Sequence, residues 1–242
     1  MFILDLVRNF FTYSLCFITI LVCAVPVLIL VYLPFSWGWV SVSFYKIIHT
    51  VHWLFLSFTF LPLSLNFPEK PLPEVGIFVA NHQSSLDIFM MGRVLKDRKY
   101  SMLAKGELTE YPLLGTLVEK VGIPVYYGDC PKRGLALPCA LDKLKNNISV
   151  GLFPEAERFV DGYVHQFKTG FAVMAKESGK PVIPVYLEGS GKALPPSHKM
   201  IQWHPLTITV GSPFYYKEGE TIQEFVGRVR EWFIQEGKNK VK

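Results

Sequence analysis

Residues 9–45 contain no charged side chain. That stretch constrains the chain more than any other feature. Its central part, residues 10–33, is almost entirely Phe, Leu, Ile, Val, Cys and Ala. A helix needs about 20 consecutive apolar residues to cross the hydrocarbon of a bilayer, and this run has that length. A cleaved secretory leader is the competing reading. Such a leader has a basic start, a shorter apolar core and a small-residue cleavage site. Here Asp5 precedes Arg8, the core is longer, and no such site follows. The expectation is a retained membrane segment spanning about residues 10–33, with a kink at Pro26.

A second apolar stretch covers residues 44–65. Lys46, His49, Thr50 and His52 cluster at its start, and the remainder is apolar. It is expected to cross, re-enter or lie in the interface, with Trp37, Trp39 and Trp53 at headgroup level. Arg8 and Lys46 balance each other across the first segment, so flanking charge does not set the topology. Residues 1–66 therefore read as a membrane-embedded helical segment.

The charges lie elsewhere. Asp5, Arg8 and Lys46 are the only charged side chains in residues 1–68 of this 242-residue chain. Residues 67–242 read as an ordinary globular domain behind a linker marked by Pro68, Pro71 and Pro73. The net charge of +5 suits an anionic membrane surface or an anionic substrate. It is too small for nucleic acid, and no basic run with interleaved aromatics supports that class. Four cysteines without a CxxC or a neighbouring His imply neither a metal site nor a disulfide framework. A reducing compartment is the default expectation, and the globular domain is expected on the cytoplasmic side of its membrane. Residues 238–242 read as a solvated basic tail.

Within the domain, short β-branched runs at 75–80, 101–104, 123–127, 149–153, 182–187 and 206–210 predict buried strands. Helical patterns fall at 88–95, 112–121, 134–145, 170–178 and 222–235. Alternating strands and helices predict an α/β fold with a mixed or largely parallel sheet flanked by helices.

Two places carry chemistry. His82 ends the first strand, and Asp87 follows five residues later on the first turn of a helix for which Ser84 or Ser85 is the expected N-cap. A carboxylate that accepts from one imidazole nitrogen leaves the other free as a base. This is the base and orienter of a triad without its nucleophile. The plain alternative is a core histidine with an unrelated aspartate. Phe153-Pro154-Glu155-Ala156-Glu157-Arg158 follows another strand, where α/β sheets bind ligands. Arg158 offers a planar fork for a phosphate or carboxylate. Glu155 is placed to hold that fork or bond a substrate hydroxyl. A salt-bridged surface loop is the alternative here. Lys105 and Lys168 also follow strands, so three cations are candidates for one anionic site.

These residues resemble the lysophosphatidate (1-acylglycerol-3-phosphate) acyltransferase family of glycerolipid acyltransferases. Asn81-His82-(x4)-Asp87 matches its NH-x4-D block. Leu103-Ala104-Lys105-Gly106-Glu107-Leu108 and Pro112-Leu113-Leu114-Gly115 resemble its K-x-x-L and P-x-x-G stretch. Phe153-Pro154-Glu155 and Arg158 match FPEGTR, and Val182-Ile183-Pro184-Val185 matches the last apolar block. The resemblance spans about residues 65–215, with the blocks in family order. It implies that His82 is the general base and Asp87 its orienter. It also implies that the Glu155 and Arg158 block binds the glycerol phosphate; Lys105 and Lys168 stay candidates for the same anion from their places after strands. The donor is then an acyl thioester, acyl-CoA or acyl carrier protein, and the acceptor a membrane lysophospholipid, giving phosphatidic acid; no cofactor or metal is implied.

Two departures stand out. Ala156 and Glu157 replace the family's Gly-Thr, and Gly122-Ile123-Pro124-Val125-Tyr126-Tyr127-Gly128 lacks the arginine of the second block, with Lys132 and Arg133 one turn further on. They leave the chemistry intact and the acceptor's identity open: a different lysolipid, or a non-catalytic lipid-binding member of the fold, stays in view. A hydrolase needs a nucleophile. Ser84 and Ser85 lack the G-x-S-x-G elbow and read as caps.

Overall fold

The structure is a computed structural model that describes residues 2–111, 114–128 and 131–237. Pro112 and Leu113 of the K-x-x-L and P-x-x-G stretch, Cys130 and the tail 238–242 lie outside the described residues.

The first helix, α1 (Phe2–Tyr32), contains Pro26 and begins well before the apolar run. Its polar residues are satisfied locally. Arg8 pairs with Asp5 one turn away at 2.8 Å, and the Asn9 amide donates to the Asp5 carbonyl at 2.7 Å. By length and composition α1 is apolar enough to cross a membrane. The second apolar stretch forms a shorter helix than 44–65 predicts, α2 (Gly38–Phe58). Phe60 adopts a left-handed φ of 55°, and Pro62 has no N–H to continue the ladder and disfavours a helical residue before it. The end of the stretch becomes an edge strand instead, β1 (Leu63–Asn66).

The chain divides into two compact units. The first takes its described residues from 1–65, 83–97 and 187–208. There α1 packs on α2, and α2 packs on α3 (Leu86–Val94). Val40, Phe44 and Leu56 of α2 and Met90, Met91 and Val94 of α3 are buried. Phe55 stacks on Phe89 with ring centroids 4.7 Å apart, and His52 meets the same ring edge-on. The N-terminal part of α1 is fixed by polar contacts. Arg8 and the Asn9 amide both donate to the Ile201 carbonyl, and Ile201 N–H returns a bond to Asn9 Oδ1 at 2.7 Å. Beyond these contacts α1 exposes Phe10, Phe17, Leu21, Val22, Val25 and Ile29.

The second unit takes its described residues from 66–82, 98–186 and 209–242. Its strands are the short apolar runs predicted above. β2 (Ile77–Ala80) pairs in parallel with β5 (Ser149–Leu152) and with β6 (Val182–Glu188). β3 (Tyr100–Lys105) pairs in parallel with β5 and with β4 (Ile123–Val125). With β7 (Leu206–Val210) the sheet runs β1-β7-β6-β2-β5-β3-β4. Parallel strands need crossover connections, usually helical. Here α4 (Leu114–Val121), α5 (Ala136–Lys145) and α6 (Gly170–Ser178) supply them. The expected α/β fold is therefore observed, as a mostly parallel sheet flanked by helices. Ile77, Val79, Val150 and Val182 of the strands pack with Phe171 of α6 and with Phe225 and Phe233 of α8 (Ile222–Glu236) in one core. A capping box opens α8: Thr221 Oγ1 accepts from Glu224 N–H, and the Glu224 carboxylate accepts from Thr221 N–H. Two elements have no counterpart in the sequence reading, a 3-10 turn (Gly106–Glu110) and the four-residue α7 (Ser190–Ala193).

The α2–α3 seam depends on one missing side chain. A Cβ at Gly92 would lie 2.1 Å from His52 Nδ1. Gly92→Ala is therefore expected to destabilise the protein by about 1–3 kcal/mol through overpacking, despite the better helix propensity of alanine. Thermal unfolding in detergent checks this; an unchanged or higher Tm would show that the seam is loose.

Candidate active site

β2 is buried at all four positions, so the first polar side chains emerge past its carboxyl end, at Asn81 and His82. His82 is half-buried. Its ring stacks on Phe153 with centroids 4.0 Å apart and planes 14° apart.

Asp87 lies in the first turn of α3 and is completely buried. Its Oδ2 accepts from the Gln83 and Ser84 N–H groups at 2.6 and 2.7 Å. A carboxylate at a helix N-terminus also answers the dipole there. The expected capping by serine is met by Ser84 and not by Ser85. Ser85 occupies the N-cap position with helical angles and no side-chain bond. Ser84 Oγ accepts from Leu86 N–H at 3.2 Å and donates to the Leu194 carbonyl at 2.7 Å. Asp87 gathers the two amides just before the helix, as a charged acceptor does readily, and so ties the turn after β2 to α3.

Glu155 follows β5 by three residues and is only 5 % exposed. Its Oε2 accepts from His82 N–H at 2.9 Å and its Oε1 from His165 N–H at 3.1 Å. Burial raises its pKa above the usual carboxylate value, and the two amide bonds pull the other way. The following residue, Ala156, has a φ of 62°, in the left-handed region that favours glycine. The turn so made carries the chain back over His82, where Phe159 N–H donates to the His82 carbonyl at 2.9 Å.

The loop is closed further on by Asp161, His165 and Arg230, which the sequence reading did not single out, and by the backbone of Lys168, which it did. His165 Nε2 lies 3.0 Å from both Asp161 oxygens, and the ring stacks on Phe159 at 3.6 Å. Arg230 on α8 donates to the carbonyls of Val164 and His165 at 2.8 and 2.9 Å. Lys168 N–H donates to the Pro154 carbonyl at 2.8 Å. None of these contacts follows from a periodicity. A histidine four residues after an aspartate was the one local signal available.

The predicted cations are only partly brought together. Glu155 and Lys168 line one cavity of about 350 Å³ with Ala156, Glu157, Phe159, His165 and Gln166. Arg158 and Lys105 do not line it; both are exposed, Arg158 two residues beyond Ala156 and Lys105 at the end of β3. Lys132 stands over the Tyr126 ring at 5.3 Å, and the Tyr126 hydroxyl is 3.2 Å from Thr109 Oγ1. Among the described residues no group of three His, Cys, Asp or Glu side chains is arranged to hold a metal ion.

Comparison with known proteins adds four findings. A chloroplastic 1-acyl-sn-glycerol-3-phosphate acyltransferase from Brassica napus is 30 % identical over 165 residues, 65 % of this chain and 45 % of that protein. The 1-acyl-sn-glycerol-3-phosphate acyltransferase of Saccharomyces cerevisiae is 28 % identical over 177 residues, 70 % of this chain and 56 % of its own length. The chain thus spans about half the length of these relatives. The crystal structure of the 1-acyl-sn-glycerophosphate acyltransferase PlsC from Thermotoga maritima superposes with a TM-score of 0.80, covering 98 % of this chain and 95 % of that one. At 24 % identity it establishes a shared fold. The family model described as Acyltransferase matches residues 66–188. That match takes in every predicted site residue from His82 to Lys168, and by it the chain belongs to the acyltransferase family.

Proposed function

We propose that this chain transfers a fatty acyl group from an acyl thioester, acyl-CoA or acyl carrier protein, to the free hydroxyl of a lysophospholipid. The acceptor that best fits the relatives is 1-acylglycerol-3-phosphate, which gives phosphatidic acid. His82 is the general base and Asp87 its orienter. The observation that carries this reading is the placement of His82: it is the first titratable side chain past a buried parallel strand, with its backbone N–H and C=O both fixed and its ring laid on Phe153.

The chemistry suits those groups. An alcohol is a poor nucleophile near neutral pH, and a positioned base raises its reactivity by about 10²–10⁴-fold. His82 takes the proton from the acceptor hydroxyl as the oxygen attacks the thioester carbonyl. The tetrahedral intermediate collapses with loss of the thiolate, which accepts a proton. A thiolate leaves readily, so no serine intermediate is required. Holding both substrates together supplies the remaining acceleration. Arg158, Lys105 and Lys168 are the cations proposed for the acceptor's phosphate. α1 keeps the site at the bilayer where a lysolipid resides, and the catalytic residues face the cytoplasm.

His82→Ala is expected to abolish transfer while leaving folding and membrane association unchanged. Retention of more than a few per cent of wild-type turnover by the purified variant would remove His82 as the base. Asp87→Asn is expected to lose most of its activity as well, through the imidazole tautomer rather than its position.

Arg158→Ala is expected to weaken acceptor use by about tenfold to a hundredfold, the effect of losing one charge-assisted bond, with donor use little changed. Lysine at this position restores the charge but not the fork, so Arg158→Lys recovers only part of the loss. Steady-state kinetics with each substrate varied in turn separates the two effects; an unchanged acceptor KM and kcat in Arg158→Ala would remove the phosphate-site assignment.

Extraction from membranes is expected to require detergent. Release by carbonate would mean that the N-terminal helices lie on the bilayer rather than in it.

A further inference from the structure

We propose that Glu155 is a positioning residue that acts through the backbone of His82, and that His165 completes the strap by which it does so. This rests on His82 being the base. A carboxylate that binds substrate must present an oxygen to it. Glu155 is 5 % exposed, and each of its oxygens already accepts a backbone N–H, one from His82 and one from His165. The two amides are 83 residues apart in sequence, and a single carboxylate bridges them.

Residues 153–165 grip His82 in three ways. Glu155 holds the N–H, Phe159 N–H holds the C=O, and the Phe153 ring supports the imidazole from one face. The backbone has little freedom left on either side of Cα, so the ring's position is set by that loop. The loop is itself braced. The His165 ring lies flat on Phe159 and meets both Asp161 oxygens, while Arg230 clamps the carbonyls of Val164 and His165 from α8. Ala156 holds its left-handed φ in the middle of this arrangement, a conformation that an alanine keeps only where its surroundings enforce it. A base displaced by a fraction of an ångström loses its line to the hydroxyl proton, and displacements of about 1 Å cost about a hundredfold.

The test is a kinetic comparison of the full-length enzyme in detergent or liposomes. Glu155→Gln keeps the shape but places an NH₂ against one of the two amides. It is expected to lower kcat by about ten- to a hundredfold and leave both KM values within about twofold. Glu155→Asp keeps the charge but shortens the reach by one methylene, so it is expected not to rescue. His165→Ala keeps the amide and removes the ring, and is expected to lower kcat several-fold with both KM values held. A rise in acceptor KM at constant kcat in Glu155→Gln would make Glu155 a substrate ligand and overturn the proposal. If Glu155→Gln fails to fold, His165→Ala decides, and an unchanged kcat there overturns it. The underlying reading fails separately: an active His82→Ala removes the base whatever Glu155 does.

Discussion

The parallel register between β2 and β5 is the constraint on which the geometry around His82 rests. Val79 pairs with Leu152. Three residues beyond each lie His82 and Glu155, so the two strands deliver both groups to the same end of the sheet at the same height. A shift of one residue would turn the side chains of one strand to its opposite face. The register is held because every residue of both strands is buried and because Val150 N–H extends the ladder to Gly76. The hydrogen bond from His82 N–H to Glu155 is thus a consequence of strand pairing, and the loop that wraps His82 is built outward from it.

The two compact units solve different problems. In the second unit, apolar side chains find one another in a core of strands and helices, in the ordinary manner of an α/β protein. In the first, much of the apolar surface of α1 stays exposed, more than a protein surrounded by water tolerates without a partner. Its polar residues are used to fix the helix: Asn9 both donates to and accepts from Ile201, and Arg8 adds a second donor to the same carbonyl. A lipid-facing helix gains no packing from its outer surface, so polar ties of this kind carry more of its placement.

Much of this was legible in the sequence. The strands stood out because short β-branched runs ended in polar residues. Helix α6 was bounded by glycine at each end, Gly170 opening it and Gly179 ending it in a left-handed turn. His82 and Asp87 were marked by their spacing after a buried strand. Elsewhere local reasoning failed for identifiable reasons. Residues 63–66 read as the end of an apolar helix, because hydropathy does not register the turn at Phe60 or the pairing that makes β1. Ser84 or Ser85 was expected to cap α3, and Ser84 does reach the Leu86 N–H, but propensity does not show that the buried Asp87 carboxylate gathers the two amides ahead of the helix. Glu155 read as a ligand for Arg158 or for substrate, since its partners are backbone amides that a sequence does not display. Phe159, His165 and Arg230 were invisible for the same reason: the donors of Arg230 reach carbonyls 65 and 66 residues away, across a loop with no periodicity.

The central claim is that a base at the end of β2 activates a lipid hydroxyl against a thioester. Thiol release from acyl-CoA, followed with and without 1-acylglycerol-3-phosphate in the same liposomes, tests it most directly. The account predicts release that depends on the acceptor, with phosphatidic acid formed in equal amount. Release without any acceptor would make the protein a hydrolase. No release with any lysolipid and either donor would leave a lipid-binding protein with an unused histidine, and would contradict the account.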